Sequence, residues 1–377
     1  MDQAFFLIRN IAPESFGGAE FYQIELAKVL ADNHFRPIIF TASRELLAMA
    51  KLNNICAIKT PYNRCQNWSG WRNILLPCYI IWQVYLYFWY KKQIRKFRPT
   101  VINIQSRDEW IAATFAAHRM HIKFFWTDHA DFRNWVFQNI NIRFKNLIGK
   151  FIRRLSRLPD FVVAISDFEA KWIKRESKRY FLNLVVIKNG VVDQKNAYNQ
   201  IKPRKNSFCY VGRIAEDKGI GELISAFNRL CIQKNDIVLD IYGDGPRLAF
   251  YKKNSKNNPR IIFHGYTKDP LRAIASSTIF VLPSYHEGLS VALVQAAMLG
   301  KTIIATNIDG NPEVVIDGMT GIMVPPKNDR ALMRAMRLAV EDISLAKNIS
   351  NNARQHYEQT FDFAKTIEQQ LLPLIQR

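Results

Sequence analysis

Pro283-Ser284-Tyr285-His286-Glu287-Gly288-Leu289-Ser290-Val291-Ala292-Leu293-Val294-Gln295-Ala296-Ala297 follows the apolar run Ile279–Leu282. The run reads as a buried strand, and the quoted stretch as a polar loop that opens a helix near Leu289. Strand, short loop and helix make the repeating unit of a parallel sheet covered on both faces. A helix start carries unpaired amide N–H groups, here of Leu289, Ser290 and Val291, and these suit an anion. Glu287 lies in the loop and Gln295 two turns on, so both can face a ligand at the helix start. A capping carboxylate is the purely structural alternative for Glu287.

Outward from this unit the same alternation fills the chain. Upstream in the same half, Ser207–Val211, Ile237–Tyr242 and Arg260–Phe263 read as strands, and downstream Thr302–Ala305 and Gly321–Val324. Helices are expected at Gly219–Gln233, Leu289–Leu299 and Asp329–Glu341. In the first half the strands are Ala4–Ile8, Pro37–Thr41, Val101–Ile104, Lys123–Thr127 and Phe161–Ile165, with a first helix at Glu20–Asn33. Gln194–Lys205 is polar, aperiodic and carries Pro203, which makes it the linker candidate. The fold class is therefore α/β, two doubly wound parallel-sheet domains. A ligand is expected in a cleft between them, at the carboxyl ends of the strands.

Three further turns in the second half suit a diphosphate. Gly212-Arg213-Ile214-Ala215-Glu216-Asp217-Lys218-Gly219 follows Val211 and opens a helix. Arg213 can act as a fork and Lys218 as a point charge, with Gly219 relieving crowding at the helix start. Tyr242-Gly243-Asp244-Gly245-Pro246 is a glycine-rich turn, for which positive φ alone is a sufficient reason. Phe263-His264-Gly265 closes another strand, where backbone groups could meet a base. In the first half, Ser15-Phe16-Gly17-Gly18-Ala19-Glu20 lets backbone approach a phosphate. His129 follows Lys123–Thr127 at a strand's carboxyl end; a structural histidine is the alternative there.

Composition bounds the rest. The chain has 377 residues, 48% of them hydrophobic and 23% charged, which excludes wholesale disorder and allows two cores of ordinary size. The formal net charge is +21, and it is uneven: 30 basic against 15 acidic residues up to residue 200, and 23 against 17 beyond. That asymmetry points to an anionic surface or polymer as partner. Cys56, Cys65, Cys78, Cys209 and Cys231 are odd in number and scattered, so free thiols in a reducing compartment are expected. Phe5-Phe6-Leu7-Ile8 is too short for a signal peptide and reads as the first strand.

Two segments bear on a membrane. Residues 74–90 carry no charge and are rich in Trp, Tyr, Ile and Leu, but Pro77 and Gln83 interrupt them and seventeen residues barely span a bilayer. A helix packed within the α/β domain is the main reading, with a membrane-touching helix and a true span as alternatives. From Phe144 to Leu158, apolar residues recur at helical spacing while Arg143, Lys145, Lys150, Arg153, Arg154 and Arg157 cover much of the remainder. Such a helix packs on a core or lies on an anionic leaflet.

Taken together, the motifs resemble the retaining nucleotide-sugar glycosyltransferases of the GT-B fold, specifically glycosyltransferase family 4 (glycosyl transferases group 1). The resemblance rests on GGAE at 17–20, TDH at 127–129, SDF at 166–168, NGVVD at 189–193, GRIAEDKG at 212–219 and YGDGP at 242–246. It continues with FHG at 263–265, PSYHEGLSVALVQA at 283–296, DGNPEVV at 309–315 and GMTGIMVPP at 318–326. It implies that Arg213 and Lys218 hold the donor's pyrophosphate and stabilise the leaving group, with Glu287 on the donor sugar's hydroxyls and His129 near the reacting centre. Gly18, Gly212, Gly243, His264, Leu289, Ser290 and Gln295 complete the implied donor site. Family members usually carry Glu where Gln295 stands, to bind ribose hydroxyls, and Gly where Ser290 stands. Gln keeps a carbonyl acceptor and loses the charge.

The resemblance further implies no metal and no cofactor, and a C-terminal helix that crosses back to the first domain. The expected division is then residues 1–195 with 361–377 for the acceptor, and 206–360 for the donor. The expected function is retaining transfer from a UDP- or GDP-linked sugar to a glycan or lipid-linked acceptor of cell-surface polysaccharide or lipopolysaccharide. The enzyme is expected in the cytoplasm, peripheral on the inner face of the membrane. The alternatives are a sugar-nucleotide epimerase on the same scaffold and, on charge alone, a non-enzymatic nucleic-acid binder. The latter lacks a recognisable motif or aromatic platforms.

Overall fold

The computed structural model describes residues 3–11, 13, 18–62, 76–106, 109–129, 143–177, 180–181 and 183–376, with the side chains of 18–19, 76 and 143–147 outside that set. Ser15, Phe16 and Gly17, residues 74–75, Cys65, Ala130 and Asp131 therefore lie outside the described residues. So do the side chains of Arg143, Phe144, Lys145 and Leu147. The chain forms two units, Met1–Lys188 with Ile367–Arg377, and Asn189–Thr366.

The first unit is a seven-stranded parallel sheet. Its elements run β1 (Gln3–Ile8), α1 (Gly18–Asp32), β2 (Phe35–Thr41), α2 (Arg44–Leu52), β3 (Cys56–Lys59), α3 (Leu76–Phe97), β4 (Val101–Ile104) and α4 (Glu109–Arg119). They continue with β5 (Lys123–Asp128), α5 (Arg143–Leu155), β6 (Phe161–Ala164), α6 (Asp167–Ser177) and β7 (Leu184–Val186). Strand order is β3-β2-β1-β4-β5-β6-β7. The central strands are buried along their length because helices cover both faces, which is why they read as unbroken apolar runs. Phe125 stacks on Phe161 at 4.6 Å and Trp110 on Trp126 at 5.3 Å, while the Trp126 Nε1–H donates to Thr114 Oγ1 at 2.9 Å. β3 and β7 were not expected; both are short edge strands without a buried run.

The second unit opens with α7 (Lys195–Tyr198) and β8 (Arg204–Val211). Then follow α8 (Ile220–Cys231), β9 (Val238–Tyr242), α9 (Leu248–Asn254), β10 (Ile261–Gly265), α10 (Pro270–Ala275), β11 (Ser277–Leu282) and α11 (Val291–Met298). β12 (Thr302–Thr306), α12 (Asn311–Val314), β13 (Ile322–Val324), α13 (Asp329–Glu341) and α14 (Ile343–Thr360) complete it. Its six parallel strands are ordered β10-β9-β8-β11-β12-β13. Side-chain caps start three of these helices, with Asp269, Asn328 and Asp342 each accepting the amide three residues on.

The segment expected to be a linker, Gln194–Lys205, holds α7 and the start of β8. The unit division falls earlier, between Lys188 and Asn189. The residues after it are tied to α14. Arg354 Nη1 donates to Asp193 Oδ1 at 3.0 Å, Tyr357 Oη to the Val191 carbonyl at 2.8 Å, and the Val191 amide to the Phe361 carbonyl at 3.1 Å. The Arg354 guanidinium holds the Asp193 carboxyl below its ordinary value. Ile367–Arg377 returns to the first unit, six residues later than the expected boundary at 361.

Candidate active site

In each sheet the strand order reverses at one place, between β1 and β4 in the first and between β8 and β11 in the second. Loops leaving such a switch point diverge, which opens a crevice at the carboxyl ends of the strands. Arg213, Lys218 and Glu287 lie on the loops after β8 and β11, at the second of these places, while Gly243, His264 and His129 follow or end neighbouring strands.

In the second unit the β8 loop carries Gly212, Arg213 and Lys218, and the β11 loop carries Glu287. Lys218 Nζ donates to Glu287 Oε1 at 2.7 Å and to the His286 carbonyl at 3.5 Å. The same carboxylate oxygen accepts from Ser284 Oγ at 2.7 Å. Both charged side chains are largely buried, 17% and 15% exposed. Arg213 stands on the same turn but is 64% exposed, its guanidinium 3.4 Å from Asp217. The structure thus brings Lys218 and Glu287 together as a pair and leaves Arg213 on the surface beside Asp217.

Backbone geometry sets this pairing. Gly219 has φ +65°, and a Cβ there would lie 2.0 Å from the Pro283 carbonyl oxygen, so only glycine lets the start of α8 touch the end of β11. The Tyr285 amide donates to the Asp217 carbonyl at 2.8 Å, clasping the two loops. Gly243 is needed for a similar reason: φ is +144° and a Cβ would meet the Gly212 carbonyl oxygen at 1.8 Å. Tyr210 Oη donates to the Arg213 carbonyl at 2.9 Å; burial, and then the Glu287 carboxylate, push that phenol's pKa up, so it stays a donor.

Other expected donor residues fare differently. α11 begins at Val291, one turn into which Gln295 sits half-buried, rather than at Leu289. Leu289 and Ser290 precede the helix, with Ser290 at the cap position. His264 sits at a bulge in β10 that turns its ring onto β9. There Nε2 lies 2.8 Å from Asp240 Oδ1 and the ring stacks on Tyr242 at 4.1 Å. Its imidazole is committed to the sheet, which leaves its backbone for a ligand.

In the first unit His129 follows β5. Its Nε2 lies 2.8 Å from Gln105 Oε1, beyond β4, and its ring meets Tyr22 edge-on at 5.0 Å. Gln23 Nε2 donates to the same Gln105 oxygen. The Gln105 side chain thus bridges His129 and Gln23. Arg9, after β1, donates from Nε to Glu20 Oε1 at 2.6 Å and from Nη1 to the Gln105 carbonyl at 3.3 Å. Burial, and then the Arg9 charge, hold the His129 pKa well below its ordinary value, so the ring is neutral. Gly18 is the first residue of α1, adjoining this cluster through Glu20.

Sequence reasoning missed Arg9, Gln23, Gln105, Ser284 and Asp309. Asp309 accepts the Glu287 amide at 3.1 Å from a backbone with φ +41°. Its signal was the Asp-Gly pair that opens the 309–315 stretch, a turn signature. Arg9 and Gln105 offered none, being 96 residues apart.

Residues 16–195 match the family model described as Glycosyltransferase Family 4, and residues 192–356 the one described as Glycosyl transferases group 1. The chain is 29% identical over 254 residues to the uncharacterized glycosyltransferase MJ1069 of Methanocaldococcus jannaschii, a match covering 62% of this chain and 64% of that relative. It is 29% identical over 161 residues to the capsular polysaccharide biosynthesis glycosyltransferase CapM of Staphylococcus aureus, covering 40% of this chain and 41% of CapM. The match thus spans less than two thirds of the length of either relative. The solved structure of Anabaena Alr3699/HepE in complex with UDP is similar over 100% of both chains, with a TM-score of 0.77 at 17% identity.

Proposed function

Because the chain belongs to the glycosyltransferases of the GT-B fold, we propose that it transfers a sugar, with retention, from a UDP- or GDP-linked donor to a glycan or lipid-linked acceptor. The acceptor is an intermediate of cell-surface polysaccharide or lipopolysaccharide, and the work is done at the cytoplasmic face of an anionic membrane. The observation that carries this reading is the Lys218–Glu287 pair, 2.7 Å apart beside Arg213 at the switch point of the second sheet. A nucleoside diphosphate leaving group needs cations, and a sugar needs a fixed hydrogen-bond acceptor within reach of them. UDP in the Anabaena structure and the capsular role in the name of CapM support the same donor and pathway class.

The chemistry follows from the side chains. The bond between the anomeric carbon and the diphosphate breaks, and its electron pair leaves with the nucleotide. An acceptor hydroxyl oxygen bonds to the same carbon, and the released diphosphate takes up its proton. Charge grows on the departing phosphate, and Lys218 and the Arg213 fork are the groups that can meet it. One such preorganised donor is worth roughly 10²–10³ in turnover. Glu287 and the His286 carbonyl fix the Lys218 ammonium, with the Asp217 carboxylate 4.0 Å away. Glu287, oriented by Ser284 and through its amide by Asp309, accepts from sugar hydroxyls. The neutral His129 ring contacts the transferred sugar without adding a positive charge beside an electron-poor carbon.

The direct test is nucleotide release from a panel of UDP- and GDP-sugars with and without a lipid-linked glycan acceptor. Release that depends on acceptor supports transfer. An isomerised nucleotide sugar formed without acceptor identifies an epimerase instead.

A further inference from the structure

Helix α3 has two faces. Tyr79, Gln83, Leu86, Tyr90 and Ile94 recur every three or four residues and are buried. Opposite them Ile80, Ile81, Val84, Tyr85 and Phe88 stand in solvent, between 48% and 68% exposed. Five large apolar side chains on three successive turns make a contiguous patch of the kind that marks an interaction surface. Further along the helix the outward positions turn cationic, at Lys92, Arg95 and Lys96.

Beside this stripe an open apolar groove of about 620 Å³ runs between α3 and α5, over α4. Ile80, Val84 and Tyr87 form one wall, Ile148 and Phe151 the other, and Phe115 the floor. Among the described residues Arg119 is the one charged side chain that lines it. Lys91 lies over the Tyr87 ring at 5.6 Å. Lys150 and Arg154 of α5, and Arg157 just beyond it, are exposed. No Asp or Glu occurs anywhere from 46 to 107 or from 132 to 159, the stretches that contain α3 and α5.

We propose that this face, α3 with α5, docks on an anionic lipid bilayer. The outward stripe enters the acyl region and the groove takes up lipid chain, while the cations meet headgroup phosphates. Charge decides the occupant. A second copy of the chain would set the same cations against themselves in a self-complementary contact. An anionic leaflet supplies apolar depth and negative charge together. No helix among the described residues is long and apolar enough to cross a membrane, so α3 lies along the surface. This deepens the membrane element of the proposed function. Its test uses no donor or acceptor, so its failure leaves glycosyl transfer standing.

The test is co-sedimentation of the full chain with vesicles of phosphatidylcholine and phosphatidylglycerol, and with phosphatidylcholine alone. Binding is expected on the anionic vesicles. The charge-neutral triple variant Ile81→Asn, Val84→Asn, Phe88→Asn should bind roughly tenfold more weakly or worse. Lys150→Gln, Arg154→Gln, Arg157→Gln should cost on the order of a hundredfold. All six positions lie on the surface, and thermal melts check that both variants fold. Unchanged sedimentation of the asparagine variant overturns the proposal, since adsorption is then purely electrostatic. It is also overturned if sedimentation velocity finds a dimer that the asparagine variant dissociates while vesicle binding persists.

Discussion

Replacing Lys218 with Met removes the ammonium and keeps most of the stem. The cost divides in two. Glu287 loses its partner at 2.7 Å and keeps only the Ser284 hydroxyl. Stranding one member of a fully buried pair costs about 3–5 kcal/mol. These side chains are still 17% and 15% exposed, which lets water reach the carboxylate and reduces the cost to about 1–2 kcal/mol. For a unit of this size that is roughly 2–8 °C in melting temperature. Turnover should fall about 10²-fold or more, about 2.7 kcal/mol of transition-state stabilisation. The double variant Lys218→Met, Glu287→Gln separates the two effects: with no stranded charge its melting temperature should return close to that of the parent, while turnover stays low. Scanning calorimetry and nucleotide release at saturating donor measure both. Near-normal turnover of Lys218→Met, or recovery of turnover in the double variant, would refute the assignment.

Gly219→Ala should destabilise the second unit by about 2–4 kcal/mol, since it combines a left-handed backbone with a carbonyl 2.0 Å from the new Cβ; a change under about 0.5 kcal/mol in denaturant titration contradicts the close approach. Glu287→Ala should lower turnover and sugar selectivity more than nucleotide affinity, and a calorimetric titration showing loss of nucleotide affinity alone contradicts its place on the sugar. Gln295→Glu should tighten nucleotide binding or leave it unchanged; a large loss in the same titration shows that the amide has a task of its own. His129 titrates below its ordinary value when folded, so the unfolded chain binds its proton first and stability falls as pH drops below about 6.5. Urea titrations at pH 5 and pH 7.5 should show a smaller loss for His129→Gln than for the parent, and equal losses reject the buried neutral ring.

The central strands were legible because burial on both faces leaves nothing but apolar residues, as in Val101–Ile104 and Phe161–Ala164. β3 and β7 were not, because an edge strand such as Cys-Ala-Ile-Lys is half-exposed and is fixed by pairing with its neighbour rather than by its own pattern. The chemistry of the second unit was largely legible since Arg213, Lys218 and Glu287 sit in short loops directly after strands. Their inequality was not: Lys218 is held by Glu287 and the His286 carbonyl across a contact between the β8 and β11 loops, while Arg213 stays in solvent. The support of His129 by Gln105 and Arg9 comes from strand order, which brings β1, β4 and β5 side by side across about a hundred residues. For residues 74–90 the expected packed helix is half right, for α3 buries one face and exposes an equally apolar one.

The first unit is built from two separated pieces of chain, and Ile367–Leu371 packs against α1, the helix that Gly18 begins. During synthesis Ile367–Leu371 leaves the ribosome only after all of Asn189–Thr366, so the first unit is completed after the second has been made. Until then the part of α1 that Ile367–Leu371 covers has no such neighbour. Expressed alone, residues 1–188 would hold all seven strands of their sheet but lack the segment that covers α1, whereas 189–366 is one uninterrupted piece of chain.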